Sequence, residues 1–358
     1  MSLAQSLTSP RKLKNLYPIG AQTIESINKF NKTVKSIIQG EDSRKLLILG
    51  PCSVHSSSEF LHYAQKFKEL QLQVEERFFC VLRVYIEKPR SCLGWKGMLY
   101  DPYLDGSYDL EAGLRECRKL LVKLADMHIP LAMEFLEPLT SVYFQDLISW
   151  GSIGARTSSS QIHRQMSSRL NCAVGFKNAT DGNIDVACAG ALSSSKPHVF
   201  FGTDDMGMLS KLSSKGNSYA HLVLRGSYEG SNYNVDAIGH GLRTLAAFGL
   251  RQRMIIDCAH GNSAKTIQGQ LRAFQNIAQQ WTSGADYIVG AMLESYLASG
   301  RQELREQVDL KEGLSITDPC LSFEQTQEAV FQAYESLSSI YVKESSSRVE
   351  DSKVPLLQ

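Results

Sequence analysis

Nine short apolar runs mark out the chain: LLILGPCS (46–53), FFCVLRVYI (78–86), LAMEFL (131–136), GSIGAR (151–156), AVGFKN (173–178), HVFFG (198–202), HLVLRG (221–226), RMIIDCAH (253–260) and DYIVGAMLE (286–294). Runs of this kind, continuous rather than alternating with polar residues, read as strands buried on both faces. Most are separated by helix-length segments such as Asp109 to Met127, and strands alternating with helices predict a parallel sheet with helices outside it. The spacer after HVFFG, TDDMGMLSKLSSKGNSYA, is rich in Gly, Ser and Asp with little helical pattern. It reads as a hairpin, so HVFFG becomes an excursion from the sheet. Eight strands remain, which fits an α/β fold of the (β/α)8 barrel type. An open doubly wound sheet is the rival, but no GxGxxG follows the first strand.

The flanks are simpler. Residues 1 to about 20 show no clear periodicity and read as an arm. From Thr23 to Gln39, Ile24, Ile27, Phe30, Val34, Ile37 and Ile38 recur at helical spacing, and Gly40 supplies the stop. After the last strand comes the loop SGRQELREQVDLKEGLSITDPC and then a helix from about Phe323 to Tyr341. The expected organisation is an N-terminal arm and helix (1–40), a catalytic barrel (41–342) with a β-hairpin inserted at about 198–220, and a flexible polar tail (343–358).

Composition excludes several classes. The 358 residues carry a formal net charge of +1, so no global field recruits nucleic acid or an anionic membrane. No apolar run reaches the roughly 18 residues a membrane span needs, and the first twenty residues lack a signal-peptide pattern. Eight cysteines are scattered without a CxxC pair, which reads as reduced thiols in a cytoplasmic protein.

The chemistry collects where the runs end. In order these ends bear Cys52, Arg83 with Lys88, Glu134, Arg156, Lys177, Arg225, His260 and Glu294. In a barrel such ends converge on one face, where active sites lie. A single strand-end cation can simply snorkel to the rim, but a polar or reactive group ends every one of the eight strands. Arg83, Lys88, Arg156, Lys177 and Arg225, with Arg90 beside them, cannot share a small cavity without polyanionic ligands, for which phosphate and carboxylate are the natural candidates. Cys52, His260 and Glu294, joined by Asp318 of SITDPC, make a mixed set suited to one divalent metal ion, with Mn2+, Fe2+, Zn2+ and Co2+ all admissible. Taken alone, Cys52 reads more simply as a buried structural thiol. His163, His221 and His240 read as surface or core histidines.

These residues sit in GPCSVH, RVYIEKPRS, GWKGMLYDP, MEFLEP, SWGSIGARTSSSQIHR, VGFKNATDG, LRGSYE, DCAHGNSAK, GAMLES and SITDPC. In that order, over about residues 17 to 340, they resemble the class I 3-deoxy-D-arabino-heptulosonate 7-phosphate (DAHP) synthases of the type sensitive to phenylalanine, tyrosine or tryptophan. The resemblance implies a metal-dependent (β/α)8 barrel that condenses phosphoenolpyruvate with erythrose 4-phosphate, the opening step of the shikimate pathway. It implies metal ligation by Cys52, His260, Glu294 and Asp318. Arg83 and Lys177 are implied to hold the phosphoenolpyruvate carboxylate, and Arg156, Arg225 and the backbone at Ala155 its phosphate. Arg90 and Ser91 are implied to meet the aldose phosphate, with Lys88 between the substrates and Glu134 orienting water or phosphoenolpyruvate.

The same resemblance implies a homodimer or homotetramer and an aromatic amino acid effector. Arg169, Asn171 and the segment Thr203 to Ala220 differ, however, from the parts that form the effector site in relatives. Ser56, the CAHGN interval and Ala179 also depart from the usual pattern, and none removes an expected ligand. A related synthase using arabinose 5-phosphate or an amino analogue of erythrose 4-phosphate is the nearest alternative. KPRS after the second strand favours erythrose 4-phosphate, because pentose-using relatives carry a different loop there. A non-catalytic regulatory homologue is the alternative from another class, and it predicts a lost ligand or cation where every expected one is present.

Overall fold

The structure is a computed structural model that describes residues 4–304 and 309–351. Its strands are β1 (Lys45–Gly50), β2 (Phe78–Arg83), β3 (Leu131–Glu134), β4 (Ile148–Ile153), β5 (Ala173–Lys177), β6 (His198–Thr203), β7 (Leu209–Ser214), β8 (Ala220–Leu224), β9 (Met254–Asp257) and β10 (Ile288–Glu294). Eight close into a barrel in the order β1-β10-β9-β8-β5-β4-β3-β2. Neighbours in the barrel pair parallel, and the closure joins β1 to both β2 and β10. The β6–β7 pair is antiparallel and stands outside the barrel, as the Gly- and Ser-rich spacer leads one to expect.

The helices are α1 (Pro10–Leu16), α2 (Ala21–Gln39), α3 (Ser57–Gln73), α4 (Leu110–Asp126), the single turn α5 (Ser141–Phe144), α6 (Gln161–Ser167), α7 (Asp185–Ser194), α8 (Val235–Ala247), α9 (Ile267–Thr282) and α10 (Phe323–Asp351). Side-chain caps start several of them. Ser56 Oγ accepts from Glu59 N at α3, and Asp109, Asn234 and Thr266 do the same at α4, α8 and α9, each satisfying an amide that the helix leaves open. Gly40 ends α2 in the left-handed region at φ 77, donating to Ile37 and Ser36. Among the described residues no helix is long and apolar enough to cross a membrane.

The barrel interior is filled by Leu46, Ile48, Val81, Ala132, Trp150, Ala173, Val223, Ile255 and Met292. Val34, Ile37 and Ile38 of α2 join that cluster, and Asn31 reaches the carbonyl of Ile148, the first residue of β4. Thus α2 plugs the end of the barrel where the strands begin. This leaves the opposite end for chemistry.

Among the boundaries that differ from the sequence reading, such as β4, which spans Ile148–Ile153 rather than 151–156, three have a clear physical cause. The arm contains α1, whose seven residues are too few to show a period; it is held by Leu13, which is fully buried, and by Thr8 hydrogen-bonded to Glu111. The ladder of β2 stops at Arg83 rather than Ile86, because the backbone of Tyr85, Ile86 and Lys88 is taken up by Val54, Leu99 and Lys96. Finally, α10 continues through Asp351, well past Tyr341, and residues 352–358 of the expected tail lie outside the described residues.

Candidate active site

Where the barrel strands end, their side chains converge. Glu134, Lys177, Asp257 and Glu294 are the last residues of β3, β5, β9 and β10, Arg83 is the last of β2, and Arg225 follows β8 directly. Two glycines let the backbone close in around them. A Cβ at Gly154 would collide with the Glu134 carboxylate, and one at Gly261 would run into Ser227 and Gly226 of the loop after β8. The loop after β9 therefore presses against its neighbour only with glycine in CAHGN.

The cavity at this face has a volume of about 240 Å³. Arg83, Lys88, Arg90, Ser91, Glu134, Ala155, Arg156, Lys177, Arg225, His260 and Asp318 all line it. Of the expected site residues only Cys52 and Glu294 do not; both are buried and belong to the cluster beside it. Cys52 Sγ and one carboxylate oxygen each from Glu294 and Asp318 lie within 4.8 Å of one another. His260 stands just outside that triad, with Nε2 at 3.6 Å from Glu294 Oε1. A thiol, two carboxylates and an adjacent imidazole, mostly removed from water, are a donor set that fits a divalent transition ion.

The charges are unevenly committed. Arg83 gives Nη2 to Glu294 at 2.8 Å and Nε to the Pro51 carbonyl at 3.0 Å, and its guanidinium lies over the Tyr85 ring at 3.6 Å. Lys88 lies against Cys52 Sγ. Burial disfavours the ammonium of Lys88, but Cys52, Glu294 and Asp318 together hold its pKa above the ordinary lysine value. Asp318, which burial would push up, is held well below the usual carboxylate range by Lys88, Lys265 and His260. For the Cys52 thiol burial comes first, then Glu294; both push it up against the pull of Lys88.

Arg156 and Arg225 differ from these. Arg156 Nε donates to Ser91 Oγ at 2.7 Å and Arg225 Nη1 to the Gly226 carbonyl at 3.4 Å. Among the described residues neither has a carboxylate partner in an ion pair. Burial lowers the pKa of Arg225 from its ordinary value; the Asp257 carboxylate opposes this and the nearby Arg156 adds to it. A buried guanidinium, Arg225, with the exposed guanidinium of Arg156 near it forms a site for a dianion. Glu134 presents a buried Oε1 with no hydrogen-bond partner among the described residues.

The strand-end reading passed over two residues of this face. Asp257 accepts from Lys177 Nζ at 2.8 Å, and its Oδ2 lies 2.9 Å from His260 Nδ1, a close contact that is not aligned as a hydrogen bond. Burial would raise its pKa, but His260, Lys177 and Arg83 hold it well below the ordinary value. Tyr85 supplies the ring over which Arg83 and Lys177 lie and hydrogen-bonds Ser152. The available signal for Asp257 was a carboxylate closing the apolar run MIID; for Tyr85 there was none beyond its place in RVYIEK.

Fold and pocket put the chain among the (β/α)8-barrel enzymes whose chemistry sits at the carboxyl ends of the strands. Residues 17–330 match the DAHP synthetase I family. The Trp-sensitive phospho-2-dehydro-3-deoxyheptonate aldolase of Escherichia coli (strain K12) is 40% identical over 326 residues, covering 91% of this chain and 93% of that protein. The Tyr-sensitive form from the same organism is 39% identical over 335 residues, covering 93% and 94%. A solved phospho-2-dehydro-3-deoxyheptonate aldolase from Francisella tularensis SCHU S4 superposes with a TM-score of 0.92 at 36% identity, covering 94% of this chain and 98% of that one. The chain belongs to the DAHP synthetase I family.

Proposed function

We propose that this protein condenses phosphoenolpyruvate with D-erythrose 4-phosphate and water to give DAHP and phosphate. The observation that carries the reading is a pair of guanidiniums with no ion pair to a carboxylate among the described residues, Arg156 and Arg225, in one cavity with Lys177, Lys88 and Arg90. In this reading Arg156, Arg225 and the backbone at Ala155 hold the phosphate of phosphoenolpyruvate, while Lys177 and Arg83 face its carboxylate. Arg90 and Ser91 take the aldose phosphate. The cations neutralise groups that would otherwise repel each other and hold both reactants in register.

The new bond joins C3 of phosphoenolpyruvate to the aldehyde carbon, and the aldehyde oxygen takes up a proton. Lys88, beside Cys52 and between the two anion sites, is placed to give it. Water then adds at C2, oriented by Glu134, and phosphate departs from C2. One divalent ion, Mn2+, Fe2+, Zn2+ or Co2+, held by Cys52, His260, Glu294 and Asp318, would supply Lewis acidity at the aldehyde.

A second cavity, of about 440 Å³, lies between the β6–β7 hairpin and α6, lined by Val142, Met166, Arg169, Phe200 and Leu212 among others. Its size and apolar lining suit an aromatic amino acid effector; Asn171 does not line it. The protein in this reading works in the cytoplasm as a homodimer or homotetramer, which sedimentation at assay concentration checks. The decisive assay is phosphate release from phosphoenolpyruvate with erythrose 4-phosphate, its amino analogue and arabinose 5-phosphate in turn, each with and without Phe, Tyr or Trp. Turnover with erythrose 4-phosphate is expected. Turnover only with arabinose 5-phosphate, or phosphoenolpyruvate binding without turnover of any aldose, would replace the reading.

A further inference from the structure

We propose that Asp257 is a positioning residue that couples the metal ligand His260 to the phosphoenolpyruvate-binding Lys177, so that each ligand raises the affinity for the other; this rests on the functional reading above. Asp257 is fully buried at the end of β9. Its Oδ1 accepts from Ala259 N at 3.0 Å, and its backbone carbonyl accepts from Asn262 Nδ2 at 2.8 Å. The carboxylate is thereby fixed, and a fixed buried carboxylate calls for cationic or donor partners.

Its other oxygen, Oδ2, has two. Lys177 Nζ donates to it at 2.8 Å, and His260 Nδ1 lies at 2.9 Å without the alignment of a hydrogen bond. One oxygen thus serves two groups that belong to different ligands, and as the structure stands Lys177 has the better share. A substrate carboxylate that draws the Lys177 ammonium toward itself releases Oδ2 for the Nδ1 proton of His260. With Nδ1 donating to Asp257, the lone pair on Nε2 is fixed on the side of Glu294 and Cys52. In the other direction, a cation at Nε2 makes Nδ1–H a stronger donor to Asp257, which loosens Lys177 for its carboxylate. The two effects are one coupling free energy and must be equal in size.

The test is titration of metal-free protein with Mn2+, and with phosphoenolpyruvate at zero and saturating Mn2+, by calorimetry in wild type and Asp257→Asn. The wild type is expected to bind phosphoenolpyruvate more tightly with Mn2+ present. In the variant Mn2+ affinity is expected to fall roughly 10- to 100-fold, the usual effect of removing a carboxylate behind a ligating histidine, and the factor by which Mn2+ tightens phosphoenolpyruvate binding is expected to fall toward one. If Asp257→Asn does not fold, Asp257→Glu, which keeps the charge but displaces the oxygen, is expected to lower the same two quantities. A purely structural Asp257 would lower the melting temperature and leave the coupling factor unchanged, which would overturn the proposal, as would a wild-type coupling factor of one. A wild type that binds no phosphoenolpyruvate under any condition would instead overturn the reading of the site itself.

Discussion

Glu87 and Lys88 are neighbours in the chain, both buried, with opposite relations to their surroundings. Lys88 finds anionic company in Glu294 and Asp318 and lies against the Cys52 sulfur. Glu87 meets like charge instead: burial first, then the carboxylates of Glu137 and Glu134, push its pKa up to about 8 against the pull of backbone amides. A carboxyl whose folded pKa is raised keeps its proton in the fold while the unfolded chain loses it. Stability therefore falls as pH rises from the ordinary glutamate range near 4.5 toward about 8, at most by about 1.4 kcal/mol per pH unit. Glu87→Gln removes this penalty, so urea unfolding should show the variant gaining on wild type between pH 5 and pH 8; parallel stability curves would contradict the assignment. Arg90 lies on the other side of Lys88, with Nε on the Trp95 carbonyl and no carboxylate partner among the described residues. Losing a charge-assisted contact to the aldose phosphate costs about 1.5–3 kcal/mol. Arg90→Ala is thus expected to raise KM for erythrose 4-phosphate about tenfold or more, with a smaller effect on KM for phosphoenolpyruvate, and equal effects would count against its role.

At the scale of elements, what could be read in advance followed from how much periodic signal each segment carries. The barrel strands were legible because continuous apolar runs have few other uses in a chain of ordinary charge, and β6–β7 because its Gly, Ser and Asp cannot build a buried strand. The seven residues of α1 carry no period, so only its docking reveals it. The site was legible to the extent that topology gathers strand ends, which no spacing between Cys52, Glu294 and Asp318 could have announced. Asp257 escaped because MIID reads as one apolar strand until the end of the ladder is known. Helix α2 gives this scale its prediction. Ile37 is 1% exposed inside the cluster that plugs the barrel, and truncating such a side chain leaves a cavity costing about 2–5 kcal/mol. Ile37→Ala should lower unfolding stability by that amount in denaturant melts, while the phosphoenolpyruvate dissociation constant, set at the opposite end of the barrel, stays within about twofold.

For the molecule as a whole, the position of the donor cluster matters as much as its chemistry. The barrel closes where β1 meets β10, with Gly50 paired to Glu294. Cys52 follows β1, Glu294 ends β10, and Asp318 comes from the loop beyond it, whose backbone amide points at Cys52 Sγ at 3.4 Å. Arg83 reinforces the same seam by bonding the Pro51 carbonyl and Glu294 together. A metal ion held here by Cys52, Glu294 and Asp318 with His260 would therefore join the first strand of the barrel to its last two strands and the segment after them, which the unfolded protein does not hold together. Binding of this kind stabilises the folded state by mass action, about 2.7 kcal/mol when free ion is a hundredfold above its dissociation constant. Thermal melts of chelated protein should accordingly shift upward on adding Mn2+, and Cys52→Ala should lose most of that shift together with metal occupancy and activity. If Cys52→Ala keeps the full Mn2+-dependent shift, the ion sits elsewhere and the cluster at the seam is structural.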